Sequence, residues 1–220
     1  MANELPILLA GTAGAAWGYV SDRIAARWPA HDDGSIRARD WRTIVVVIVG
    51  ALAGAATVAR FAADPVPLLA IGVYAIALVL LFATDLDQRL LPDIITLPLV
   101  PYAIVVYVLG AGPFVRTTDD LLWAIAAAIV IPVALFLLAI PFGKGAIGEG
   151  DLKLLVSVAL IAGAANVFYG LVAGALVAGI VVALLVATRR LTMHSYVPYG
   201  PFLIAGALWA ILAIANVSQT

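Results

Sequence analysis

The chain has 220 residues, of which 65% are hydrophobic and 11% charged, against about 45–50% and about 25% in soluble domains, so no soluble core could hide its apolar surface. Its net charge of -1 gives no basic footprint for nucleic acid, and none is expected as a partner. There is no cysteine, which excludes disulfides and thiolate metal sites; His31 and His194 alone could offer imidazole, and neither a metal nor another cofactor is expected.

A transmembrane helix needs about 20 mostly apolar residues. Apolar runs bounded by charge, Gly or Pro predict eight spans, at about 5–21, 43–63, 66–84, 94–111, 121–142, 152–164, 166–187 and 199–217. Met1 to Glu4 supply no basic region ahead of the first run, which leads into Asp22 and Arg23 without a cleavage site, so a retained first span is expected. Gly50 and Gly54 in the second span, like Gly170 and Gly174 in the seventh, are four apart and predict close helix packing. The sixth run is short for a full crossing. It continues through Gly163-Ala164-Ala165-Asn166 into the seventh, so the two are expected to form a tight helical hairpin. The fold class is therefore all-α: a polytopic membrane protein, a bundle of about eight transmembrane helices forming a single domain over residues 1–220.

Eight spans put both termini on one side, and Lys and Arg resist translocation. Loops 22–42, 85–93, 143–153 and 188–198 hold Arg23, Arg27, Arg37, Arg39, Arg42, Arg89, Lys144, Lys153, Arg189 and Arg190, against Arg60 and Arg116 on the opposite side. These four loops are thus expected in the cytoplasm and both termini outside, in the cytoplasmic membrane.

Carboxylates near a bilayer are costly to bury, so their placement is informative. The first cluster runs from Thr84-Asp85-Leu86-Asp87 through Pro92-Asp93 to Pro98. Asp85 follows the apolar run directly and falls at the inner end of the third span, while Asp93 begins the fourth. An ordinary loop would leave Asp85 solvated and Asp93 capping a helix. The second cluster is Gly148-Glu149-Gly150-Asp151-Leu152-Lys153, whose glycines permit close backbone approach and whose Asp151 could equally be an N-cap. No Lys-Ser or Lys-Thr pair follows these glycines, so the phosphate-binding loop pattern fails. Both clusters are predicted on one face, which makes a pair conceivable: two carboxylates sharing one proton titrate apart, leaving one as base and the other as acid. Two other readings remain open. Lys153 and Ser157, four apart, could act as base and nucleophile, and an ion or solute transporter would also place acids near broken helices.

The stretch Asp85 to Pro98, with its Leu-Pro-Asp and Thr-x-Pro elements, resembles the first aspartate motif of the type IV prepilin peptidase family, and Gly148 to Leu155 resembles that family's G-x-G-D motif. Arg27-Trp28-Pro29 and Val197-Pro198-Tyr199-Gly200-Pro201-Phe202 are similar to its flanking elements. The resemblance implies an aspartic endopeptidase that removes short basic leader peptides from prepilin, pseudopilin or archaellin-like precursors at the cytoplasmic face, in contact with membrane lipid. It implies Asp85 and Asp151 as the catalytic pair, with Gly148, Gly150, Pro92, Asp93 and Lys153 as supporting motif positions. Residues 85–93 and 148–151 together hold five acids, Asp85, Asp87, Asp93, Glu149 and Asp151, against Arg89 alone, which suits a basic leader. Many family members carry a cytoplasmic insertion after the first helix, with two Cys-x-x-Cys pairs and N-methyltransferase activity. Here that loop is only about 22–42, without cysteine, and the family's Glu at the start of the second helix has no counterpart in Arg39 to Ile44. Cleavage without methylation is expected.

Overall fold

The computed structural model describes residues 4–30, 34–142, 147–189 and 199–214. Among them are seven α-helices: α1 (Glu4–Ala25), α2 (Trp41–Phe61), α3 (Pro65–Gln88), α4 (Asp93–Val108), α5 (Thr118–Ala139), α6 (Glu149–Ala187) and α7 (Gly200–Leu212), with a 3-10 turn at Ile140–Phe142 after α5. Lys144, His31, His194 and the Val197-Pro198 half of the last motif lie outside the described residues.

Local chemistry explains the helix starts. Asp40 caps α2, accepting from the Arg42 N–H, in a reciprocal box with Thr43. Asp64 accepts from Val66 N–H ahead of Pro65, whose missing donor costs nothing in a first turn. Thr117 and Asp120 form a second box at the start of α5.

Helices pair where side chains are missing. A Cβ added at Gly14 would run into the Gly50 carbonyl oxygen, one at Gly54 into that of Ala10, and one at Gly18 would lie 2.9 Å from Val47 Cα. Pairings of 10 with 54 and 14 with 50 make α1 and α2 antiparallel at backbone contact. Gly170 and Gly174 do the same against α7, where added Cβ atoms would fall 2.8 Å from the Gly206 oxygen and 2.5 Å from the Phe202 oxygen. Both glycine pairs expected to mediate packing therefore do so. In lipid there is little hydrophobic drive between helices, so close packing of this kind holds the bundle.

The sixth and seventh predicted spans appear as one 39-residue helix broken at Gly163, with φ 80° and ψ 166°, a conformation other residues rarely adopt. Asp151 in the first arm lies near Asp85. Gly174 in the second arm packs on Phe202, two residues from Gly200, which itself rests on Asp85. In a straight helix residues 151 and 174 would be about 35 Å apart, so the arms must fold back on each other. Gly163 faces Val115 in the α4–α5 connection at the opposite end. Counting its arms separately gives eight segments.

Helices α2, α3, α5 and α6 are each long and apolar enough to cross a membrane, while α4 and α7 are shorter apolar helices. The outer faces are apolar: Leu8, Ile129, Leu138 and Ile180 are among the large hydrophobic side chains left exposed, a surface that water would not tolerate and lipid would.

The contacts make a paired expectation. Gly206→Ala would place a methyl 3.1 Å from Gly174 N and closer still to the Gly170 oxygen, and should destabilise by about 1–3 kcal/mol. Gly179→Ala, with open space around it, should be neutral or stabilise by about 0.5–1 kcal/mol. Thermal midpoints in one detergent would compare them; equal midpoints would contradict the α6–α7 contact.

Candidate active site

Three chain segments converge at one end of the bundle. Helix α3 runs beyond its apolar stretch, so Asp85 sits in its last turn, and the turn is closed by Arg89, whose N–H donates to the Asp85 carbonyl at 2.9 Å from a left-handed φ of 55°. Helix α6 starts from Gly148 as N-cap, which puts Asp151 at the third helical position. Helix α7 begins with Gly200 against Asp85: an added Cβ would lie 2.6 Å from Asp85 Cγ and 2.9 Å from Oδ1. The two motifs also touch directly, since a Cβ at Gly150 would fall 2.7 Å from Leu91 Cβ. The glycine at position 150 is thus a steric requirement of this contact.

Asp85 is 5% exposed and Asp151 9%, and they are close enough for their charges to repel. Asp85 Oδ2 and Asp151 Oδ1 are buried without a hydrogen-bond partner among the described residues. Buried polar atoms seldom stay unpartnered, and such a pair is where a water or a substrate group would bind. Both line a cavity of about 500 Å³ together with Asp93, Glu149, Arg89 and Lys153. Tyr199, just ahead of α7, has its phenol pushed up by burial and by the charge of Asp151. Two acids of this kind can share a proton and polarise a water between them. Among the described residues no three His, Cys, Asp or Glu side chains come together as metal ligands.

The ordinary-loop readings are not what the structure contains. Asp85 is buried, not solvated. The N-caps of α4 and α6 are Pro92 and Gly148, so neither Asp93 nor Asp151 is a cap. Instead Asp93 receives Lys153 Nζ at 2.8 Å on each carboxylate oxygen, at the cavity mouth. That pairing also removes Lys153 from Ser157, whose hydroxyl bonds the Leu154 carbonyl and the Tyr74 hydroxyl, each at 2.9 Å. The Ser-Lys reading therefore has no geometry behind it. The buried carboxylates sit at one end of the bundle rather than at its middle, where a carrier would hold its ions.

Two features escaped the sequence. Asp87 does not join the acidic cavity: it turns to Arg37 and Arg42, at 2.6 and 2.7 Å, so the acidic surplus inferred from the loops is smaller than the count. Its charge-bearing neighbours on the other side of α3 were the available signal. Gly200 was visible only as part of a flanking motif; nothing in its local sequence says that it rests on Asp85.

Residues 72–184, which include both aspartates, match the type IV leader peptidase family. A prepilin leader peptidase/N-methyltransferase of Burkholderia pseudomallei (strain 1026b) is 34% identical over 164 residues, covering 74% of this chain and 52% of that protein. One of Aeromonas hydrophila is 31% identical over 135 residues, covering 61% and 46%. The chain thus spans about half the length of the curated relatives it matches. No solved structure matches it.

The Gly200 contact has a measurable consequence. Gly200→Ala should destabilise by about 1–3 kcal/mol, seen as a lower melting temperature in micelles. Combining it with Asp85→Ala should recover most of that loss, since the carboxylate is what the new methyl meets; additive losses would show that the two do not touch.

Proposed function

The chain belongs to the type IV leader peptidase family and is a multi-pass membrane protein, and from that premise we propose that it is an aspartic endopeptidase removing short basic leader peptides from type IV prepilin-like precursors. The observation that carries this reading is the pair of buried carboxylates in one cavity, each with an oxygen unpartnered among the described residues. In the proposed reaction a water lies between them. The ionised carboxylate takes a proton from that water as its oxygen attacks the scissile carbonyl carbon, and the protonated partner donates to the carbonyl oxygen. Collapse of the tetrahedral intermediate breaks the C–N bond: the proton held by the base goes to the leaving amine, and the hydroxyl that becomes the new C=O returns its proton to the partner carboxylate. No covalent intermediate forms.

Asp93 is balanced by Lys153, but Glu149 and the dyad leave the cavity acidic against Arg89, which favours a cationic leader. Substrates are prepilin, pseudopilin or archaellin-like proteins. The segment joining α1 to α2 has no cysteine pairs, which supports cleavage without methyl transfer. The cavity end faces the cytoplasm on the basis of the Arg and Lys distribution.

Asp85→Asn and Asp151→Asn should insert and fold normally yet lose about a thousandfold or more of the cleavage rate, with the double variant no worse than either. The parent's rate should fall at low pH, where the base is protonated, and at high pH, where the acid is lost. Mass spectrometry of the cleaved precursor should find an unmodified N-terminus. Parent-like cleavage by either Asn variant would end the dyad reading.

Because the chain has no native cysteine, single cysteines report topology cleanly. An impermeant maleimide applied to intact cells should label Asp119→Cys and not Leu90→Cys. The reverse pattern would invert the proposed orientation.

A further inference from the structure

Beside the cavity, the ends of α1, α2 and α3 meet in a charge cluster that the proposed chemistry does not use. Arg37, from the segment joining α1 to α2, lies at its centre with 13% of its side chain exposed. Its guanidinium reaches Asp22 on α1, Asp40 ahead of α2 at 2.6 Å, and Asp87 on α3 at 2.6 Å. Asp22 is also held by Arg23 and by the Thr43 hydroxyl, which donates at 2.9 Å. Arg42 makes a second bond to Asp87, on the same Oδ1, at 2.7 Å. Three arginines therefore meet three aspartates, and the side chains of Asp22 and Asp87 are only 1% and 2% exposed.

Stability alone is a poor reason for such a cluster, because well-packed apolar side chains commonly do as well as a buried ion pair. Its position supplies a better one. Asp87 follows Asp85 by two residues, so their side chains leave α3 about 200° apart: Asp85 toward the cavity, Asp87 toward Arg37. Asp85 Oδ2 has no hydrogen-bond partner of its own among the described residues, so its placement depends on the helix turn that carries it. Arg37 and Arg42 grip that turn from behind. Gln88 adds a grip of neutral type, its amide donating to the carbonyls of Ala25 at 2.9 Å and Pro29 at 2.7 Å.

Resting on the peptidase reading above, we infer that Arg37 and Asp87 are positioning residues for Asp85: their ion pair fixes the last turn of α3, and so the geometry and charge environment in which Asp85 meets Asp151. Among the described residues the cluster has three arginines and three aspartates, and neutralising one member changes the charge behind Asp85 by one. Among the described residues, the groups facing Asp85 itself are Asp151 from α6, Arg89 at the end of its own helix, and uncharged Gly200 from α7, with Tyr199, Asp93, Glu149 and Lys153 around them. All are unchanged in the variants below, so differences between variants report the cluster.

The experiment measures cleavage of a leader-bearing precursor by purified, folded protein across pH. Arg37→Met leaves an unbalanced negative charge and should move the pH-rate profile upward; Asp87→Asn leaves an unbalanced positive charge and should move it downward. Each should lower kcat about 10- to 100-fold with KM within about twofold, the pattern of lost alignment in the transition state. The double variant Arg37→Met with Asp87→Met, neutral again, should bring the profile back to the parent's position. Arg42 is a third exposed, so Arg42→Gln should fold even where Arg37→Met does not, and should shift the profile upward by less. A merely structural cluster would reduce the yield of folded protein and leave the profile and kcat of what folds unchanged. That result in Arg42→Gln and Asp87→Asn, with Asp85→Asn inactive, would overturn the inference. An active Asp85→Asn is a separate failure: it removes the dyad, and this inference with it.

Discussion

The structure depends on keeping two carboxylates out of water at the end of an apolar bundle. Desolvating an ionised carboxylate costs several kcal/mol even after relaxation, and Asp85 shares its cavity with Asp151, whose charge adds repulsion. The surroundings offset this in part. Asp151 occupies the first turn of α6, where the helix dipole favours negative charge. Both carboxylates line a cavity of about 500 Å³ rather than close-packed apolar side chains. Two further aspartates at this end are drawn into pairs: Asp93 with Lys153, and Asp87 with Arg37 and Arg42.

Bringing three helix ends onto so small a site requires backbone approach that ordinary side chains would block. The α6–α7 contact through Gly170, Gly174 and Gly206 brings α7 alongside the second arm of α6, and Gly200 then meets Asp85 at the end of that contact. The reversal at Gly163 is what allows α6 to start at the site, leave it and return beside α7. A bundle held by packing rather than by solvent exclusion can afford few misplaced methyl groups at such points.

The family match spans residues 72–184 and therefore includes both aspartates and the Gly163 reversal. It includes neither Arg37 nor Gly200, although both close in on α3, one behind Asp87 and the other against Asp85. The site is completed by elements outside the matched segment. In the segment joining α1 to α2, Arg37 places its guanidinium among the carboxylates of Asp22, Asp40 and Asp87.

Read alone, the sequence determined the solvent, the helical class, the approximate span ends and the break near Gly163, because each follows from local properties: apolar length, capping residues, and a glycine where a helix must turn. It also put Asp85 and Asp151 at the same end, since alternation of spans is a counting argument. Tertiary structure alone decided which side chain meets which. Asp85 and Asp87 are two residues apart in one acidic motif, yet one faces a cavity and the other a guanidinium from a segment about fifty residues earlier. Asp93 reads as a helix cap and is instead the partner of Lys153. Gly200 reads as a helix start and is the surface on which Asp85 rests. Helical periodicity sets the direction in which a side chain leaves its own axis, but the neighbour it finds depends on rotation and depth of packing between distant segments, and those are set by the whole bundle at once.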